Sequence, residues 1–245
     1  MILDDTAKEV YARQILMKDI DLEGQQKLAD ASVLVIGCGG LGAPALSYLT
    51  AMGIGHLGFC DCDEVALSNM NRQLLFSMGD IGKRKASMAE KRLLGLSPKL
   101  KTTVYDRFLD EDFAAEIVPQ YDIAVDCLDN FNTRFVLNDA CVAAKVPFVH
   151  AGIGEFYGQL MTVTPGNGPC LRCLFPNFKK EEGPKKPFGV IGPTPGVLGA
   201  MQALEVAKYL LGLPVADKGL VVYDGLSLNI DKVSLEPMAG CMCRN

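Results

Sequence analysis

The chain has 245 residues, of which 49% are hydrophobic and 22% charged, and its 24 Lys and Arg against 29 Asp and Glu leave a net charge of −5. So much apolar material in a chain of this length excludes disorder, and an acidic balance without a dominant basic run excludes nucleic acid as the main partner. A membrane span is excluded as well, since the longest apolar runs, at 33–36 and 197–203, fall far short of the ~20 residues that cross a bilayer.

Residues 1–30 read as an N-terminal helical arm, and residues 1–5 lack the basic and apolar regions of a secretory signal, so a cytoplasmic protein is expected. A continuous apolar run at 32–36 enters Gly37-Cys-Gly-Gly-Leu-Gly42, and helical apolar spacing follows over 43–52. Strand, turn and helix come in that order. The next strand falls at 57–60, and further buried-type runs at 102–105, 122–126 and 147–151 end in acidic residues or turns. Helices are expected between them at 83–94, 111–118 and 133–144. Such alternation predicts an α/β fold with a doubly wound, mostly parallel, Rossmann-like sheet. After residue 155 the rhythm changes: 158–164, 220–223 and 227–235 read as strands near turns, separated by one long helix over 197–211. This half extends the sheet with C-terminal strands. The charged, Pro- and Gly-broken stretch 179–187 reads as a mobile surface segment, either a solvated loop or a crossing between the two halves. The chain is expected to be one domain over 1–245, with a nucleotide-binding half at 31–155, a second half at 156–245 and a crossover loop at about 177–193.

Gly37-x-Gly39-x-x-Gly42 closes a strand and opens a helix, where glycines allow a tight turn and the helix N-terminus attracts a phosphate. Asp61 ends the next strand, the position of a ribose-binding acid. These features alone fit a NAD-dependent dehydrogenase, but Asp61-Cys-Asp63 is followed by Ser68-Asn69-Met70-Asn71-Arg72-Gln73 and then by Lys85. That cluster puts amides and two cations beside the same turn, which suits a triphosphate better than a dinucleotide. Asp129, in Asp126-Cys-Leu-Asp129-Asn130, follows another buried strand, so it either offers a hard oxygen ligand for Mg²⁺ or caps the next helix.

Taken together, Tyr11-Ala-Arg13-Gln14-Ile-Leu16, Gly37 to Gly42, Asp61-Cys-Asp63, Ser68 to Gln73, Lys85, Asp126 to Asn130 and Cys170-Leu-Arg-Cys173 make the chain resemble the MoeB/ThiF/HesA family, bacterial relatives of ubiquitin-activating enzymes. The resemblance runs from about residue 8 to the C-terminus. It implies an adenylyltransferase that uses ATP to adenylate the C-terminal Gly-Gly carboxylate of a ubiquitin-fold sulfur carrier protein, ahead of thiocarboxylate formation. A carboxylate nucleophile is already ionised at pH 7, so a chain with only His56 and His150 needs no base. By the same resemblance, Gly40 lies at the phosphate turn, Asp61 holds the ribose, and Asn69, Arg72, Gln73 and Lys85 contact phosphates. Gly37, Gly39, Gly42, Asp63, Ser68, Met70, Asn71 and Asn130 complete the ATP site, Asp129 binds Mg²⁺, and Arg13 reaches the γ-phosphate region of the neighbouring subunit of a homodimer. The half at 156–245 binds the carrier.

Of nine cysteines, Cys38, Cys60, Cys62, Cys127 and Cys141 sit in or beside strand and helix runs and read as buried hydrophobes. Cys170-x-x-Cys173 and Cys241-x-Cys243 form a tetrathiolate candidate for Zn²⁺, although the second half-site is CxC where the family pattern has CxxC. Some relatives carry a cysteine in the crossover loop that bonds the carrier covalently; here Lys185 takes its place. The expected enzyme therefore stops at the acyl-adenylate and leaves sulfur delivery to a separate cysteine desulfurase or rhodanese, with no rhodanese-sized domain expected after residue 245. Two rivals are a tRNA-modifying, ATP-dependent cyclising enzyme of the same superfamily and a non-catalytic nucleotide-binding scaffold. The sequence does not name the pathway, molybdopterin, thiamine, cysteine or another.

Overall fold

The Ser-Val-Leu-Val-Ile run forms strand β1 (Ser32–Ile36), whose alternate residues serve two different cores: Val33 and Val35 pack on one face of a sheet, Leu34 and Ile36 on the other. Burial on both faces marks a strand at the centre of an α/β sheet, and each fully buried aliphatic side chain there contributes ~1.5–3 kcal/mol. The computed structural model describes residues 3–180 and 188–244. Around β1 lie β2 (His56–Cys60), β3 (Lys101–Tyr105), β4 (Ile123–Asp126) and β5 (Phe148–Gly154), and these five strands are parallel to one another. Then β6 (Tyr157–Val163), β7 (Gly219–Asp224) and β8 (Asn229–Ser234) continue the sheet antiparallel. The order is β3-β2-β1-β4-β5-β6-β7-β8. This is the expected mostly parallel, Rossmann-like sheet with C-terminal strands added at one edge.

Helices α1 (Asp5–Val10), α2 (Ala12–Ile15) and α3 (Asp21–Asp30) make up the N-terminal arm. The arm is tied to the end of α4 (Gly42–Ala51), because Gln14 and Gln25 both donate their side-chain N–H groups to the Met52 carbonyl at 3.0 Å. The remaining helices are α5 (Lys85–Leu96), α6 (Glu111–Ile117), α7 (Phe131–Ala144), α8 (Leu171–Leu174) and α9 (Pro193–Leu210).

Three helix starts differ from the sequence reading by two residues or more, each for a local reason. Helix α5 begins at Lys85 and not at 83, because Arg84 is extended and bridges to Glu64. Helix α7 begins at Phe131, two residues earlier than expected, because the Asn130 carboxamide accepts from Thr133 N at 2.9 Å and caps it. Helix α9 starts at Pro193, four residues before the expected 197, since proline is tolerated in a first turn. No helix among the described residues is long and apolar enough to cross a membrane.

Candidate functional site

The strand order reverses between β1 and β4, so the carboxyl ends of those strands diverge and leave a crevice, the usual ligand position in such sheets. A cavity of about 1330 Å³ opens there. The glycine turn forms its floor. Gly37 has φ +99°, a backbone state that side chains rarely adopt, and a Cβ on Gly42 would lie 1.9 Å from the Gly37 carbonyl oxygen. These two glycines let the chain fold back tightly enough for α4 to start at once, with Gly39, Gly40 and Leu41 just before it lining the cavity.

Asp61 joins turn and strand. Its Oδ2 accepts from Cys38 N at 2.8 Å and its Oδ1 from Asp63 N at 2.9 Å, so the carboxylate braces the glycine turn. Burial pushes the Asp61 carboxyl up, against the Lys85 charge and the two amides that pull it down. Lys85 Nζ sits 2.9 Å from Asp63 Oδ2 and is itself buried, with 7% of its side chain exposed against 67% for Asp63. The ammonium is thus a buried charge held at the cavity wall by a carboxylate that water or a ligand can reach.

The Ser68 to Gln73 run divides. Asn71, Arg72 and Gln73 line the cavity. Arg72 Nη1 donates to Ser68 O and to Asn71 Oδ1, both at 2.8 Å, which fixes the guanidinium over the turn. The Gln73 carboxamide packs beside Gly39, and its Oε1 is buried with no hydrogen-bond partner among the described residues, so a donor on a bound ligand would satisfy it. Asn69, Ser68 and Met70 stand behind this wall and not in it. Asn69 is buried and its Oδ1 accepts from Ala66 N at 3.0 Å, Ser68 supplies only its carbonyl to Arg72, and Met70 packs on the core. Gly42 likewise supports the floor from below.

Asp129 and Asn130 line the facing wall, after β4. The helix cap considered for Asp129 is supplied by Asn130, which leaves Asp129 at the cavity. Sequence reasoning missed several lining residues: Arg107 and Phe108 after β3, Arg134 on α7, and Gln159 on β6. Strand order brings Arg107, Phe108 and Gln159 near Asp61 and Asp129, whereas Arg134 follows Asp129 closely in sequence. Arg13, on α2, is exposed and is not among the residues lining this cavity. Lys185 lies outside the described residues.

The four cysteines of the second motif converge. Cys170 Sγ is 3.6 Å from Cys241 Sγ, Cys173 Sγ is 3.6 Å from Cys243 Sγ, and all four sulfurs lie within 4.8 Å of one another. Four thiolates around one Zn²⁺ at ~2.3 Å stand about 3.8 Å apart, so this donor set fits a tetrahedral metal site despite its CxC half. Burial pushes the Cys170 thiol up to about 11 and raises Cys243 as well.

A ThiF family model matches residues 11–244. The chain is 42% identical over 232 residues to the sulfur carrier protein ThiS adenylyltransferase of Escherichia coli K12, covering 94% of this chain and 92% of that protein. It is also 42% identical over 228 residues to the adenylyltransferase and sulfurtransferase MOCS3 of Mus musculus, covering 92% of this chain but only 50% of that longer relative. Among solved structures, E. coli MccB with MccA-N7isoASN matches with a TM-score of 0.87 at 23% identity, over 99% of this chain and 76% of that one. MccB with ATP matches with a TM-score of 0.77 at 25% identity, over 89% and 67% of the two chains.

Proposed function

This chain belongs to the ThiF family, and from that premise we propose that it is an ATP-dependent adenylyltransferase acting on the C-terminal Gly-Gly carboxylate of a ubiquitin-fold sulfur carrier protein. The observation that carries the reading is one cavity that unites the glycine turn, Asp61, Arg72, Gln73, Lys85 and Asp129. Its volume of about 1330 Å³ exceeds the ~300–1,000 Å³ of ordinary small-molecule pockets, which leaves room for a nucleotide and for the end of a second reactant.

In this reading the ribose lies on Asp61 and the phosphates run along the α4 N-terminus toward Arg72 and Lys85. The carrier carboxylate attacks the α-phosphorus, the bond from that phosphorus to the pyrophosphate oxygen breaks, and acyl-adenylate and pyrophosphate result. Arg72 and Lys85 neutralise the charge that gathers on the leaving group, which is the main demand of such a transfer. Asp129, a hard oxygen donor at the cavity, would hold Mg²⁺, whose role is to screen the phosphate charges. Asp63 releases Lys85 to the phosphates as they arrive.

The half at 156–245 supplies the carrier's docking surface. Strand β8 is exposed along its whole length, and Leu226, Leu228, Ile230 and Val233 present apolar side chains on or beside it. We further assign zinc to Cys170, Cys173, Cys241 and Cys243, a homodimer in which Arg13 completes the neighbouring site, and a separate protein as sulfur donor. ATP–pyrophosphate exchange with ubiquitin-fold carriers ending in Gly-Gly tests the function. Exchange that needs a carrier with an intact terminal carboxylate is expected. Exchange driven by free amino acids or tRNA, or none with any such carrier, contradicts it.

A further inference from the structure

Three adjacent strands carry a polar chain that the reaction scheme above does not use. Asp126 on β4 and His150 on β5 are register partners, and both side chains are fully buried. His150 Nδ1 lies 2.6 Å from Asp126 Oδ2, and His150 Nε2 lies 3.2 Å from the side-chain nitrogen of Gln159, its diagonal neighbour on β6. Gln159 is the only member of the three that lines the cavity.

The direction of these hydrogen bonds follows from charge. Asp126 Oδ2 also faces the Arg134 guanidinium, with Nε at 3.5 Å, so that oxygen is the acceptor and His150 Nδ1–H the donor. Burial then holds the imidazole below its ordinary range, with the hydrogen bond to Asp126 opposing it only in part, so the ring is neutral at pH 7. A neutral ring with its proton on Nδ1 has a bare Nε2, which can only accept. Gln159 must therefore donate its N–H to the ring. Its carboxamide oxygen is left for the cavity.

Beside Gln159 three glycines open the cavity wall between the side chains of Ile153, Tyr157 and Phe188. Gly152 pairs with Gln159 across the sheet, and Gly154 and Gly189 have no atoms of the described residues within 4 Å of the place a Cβ would occupy. Residue 189 is held against the β5–β6 turn by Glu155, whose N–H donates to the Gly189 carbonyl at 2.7 Å and whose carbonyl accepts from Ile191 N at 3.2 Å. Glycines at these points leave room for an extended peptide backbone to lie close to the wall between those side chains. Main-chain N–H groups are the donors such a peptide brings.

Resting on the adenylation reading above, we propose that His150 is a positioning residue that turns the Gln159 carboxamide, whose oxygen accepts a hydrogen bond from a main-chain N–H of the carrier's Gly-Gly tail. A tail seated this way is fixed along its axis before its carboxylate meets the α-phosphorus. Gln159 touches substrate; His150 acts through it.

The test pairs protein variants with altered carriers. Carriers are made in which an ester replaces the last peptide bond, or the one before it, removing one N–H at a time. With wild-type protein, one of the two esters should lower kcat/KM for the carrier by about 5- to 10-fold, the worth of one hydrogen bond. With Gln159→Met, that same ester should cost less than about 2-fold, while KM for ATP stays unchanged. Equal ester penalties in the two proteins would overturn the proposal. Nitrogen NMR of the His150 ring gives an independent reading, practical because the chain has only two histidines. A protonated Nδ1 beside a bare Nε2 is expected; a proton on Nε2 would also overturn it. If wild-type protein shows no exchange with any all-amide carrier, the adenylation reading itself fails and the proposal falls with it, whereas normal exchange with indifferent esters sinks the proposal alone.

Discussion

Lys85 has a side chain that is 7% exposed and a partner, Asp63, that is largely open to solvent. On the adenylation reading, incoming phosphate oxygens would compete with Asp63 for this ammonium, so Lys85→Met would remove a transition-state interaction. We expect a fall in exchange rate of at least about 100-fold with little change in thermal stability. Asp129→Ala should behave similarly and lose its response to Mg²⁺, while Zn²⁺ content stays the same; full exchange activity in that variant would rule out its metal role. His150 supplies a pH prediction. Burial depresses its folded pKa, so between that value and the ordinary ~6.5 the unfolded chain binds the extra proton. The contribution to stability is full above ~6.5 and is lost as pH falls through the folded value, with Asp126 and Arg134 the charged groups that face the ring. Urea unfolding between pH 7 and pH 5 should show a smaller pH slope in His150→Phe than in wild type. The residues legible in the sequence were those that a local motif carries: Gly37, Gly42, Asp61, Lys85 and Asp129. Within Ser68 to Gln73 the residue types were visible but their directions were not, because the 3₁₀ turn at Leu67–Asn69 uses the Asn69 carboxamide as its own cap and sends Asn71 to the cavity. The meeting of Asp126, His150 and Gln159 was not legible, since it depends on the register of β4, β5 and β6, nor was the turning of Arg134 on α7 toward it.

At the scale of elements, apolar periodicity located every strand of the sheet, and errors gathered at helix starts, where one cap or one proline decides. The Asn130 cap and the Pro193 start are such cases. Helix α8 escaped notice because four residues show no period. That short helix still matters, since it places Cys170 and Cys173 opposite Cys241 and Cys243 from the far end of the chain. A metal bound at this site would tie two segments about 70 residues apart, so a strong chelator or Cys241→Ser should lower the melting temperature by about 5 °C or more, with loss of one zinc per chain by elemental analysis. Zinc-free purified protein of unchanged stability would argue for a vacant site. Strand β8 makes a second element-scale prediction. Ile230, 55% exposed on an unpaired edge, should be a contact for the carrier, so Ile230→Lys should raise the carrier KM about 10-fold and leave ATP binding alone.

Across the whole molecule, residues at the carboxyl ends of the parallel strands and residues of β6 and β7 together line one cavity, and the antiparallel extension ends in an apolar edge at β8. The N-terminal arm packs below α4, away from the cavity of its own chain, with Arg13 exposed. An exposed guanidinium outside its own site suits a dimer in which it serves the neighbour. Mixing Arg13→Ala with Asp129→Ala protein tests this, because each mixed dimer then holds one site with both defects and one with neither. Activity approaching half that of wild type per mixed dimer is expected, and inactive mixed dimers would contradict sharing. The central claim, attack by a carrier carboxylate on the α-phosphorus of ATP, is tested most directly by isotope transfer. The carrier is labelled with ¹⁸O in its terminal carboxylate, incubated with ATP, and the product is released by hydroxylamine. AMP carrying one ¹⁸O, formed together with pyrophosphate, is the predicted result; unlabelled AMP, or ADP with labelled phosphate, would contradict it.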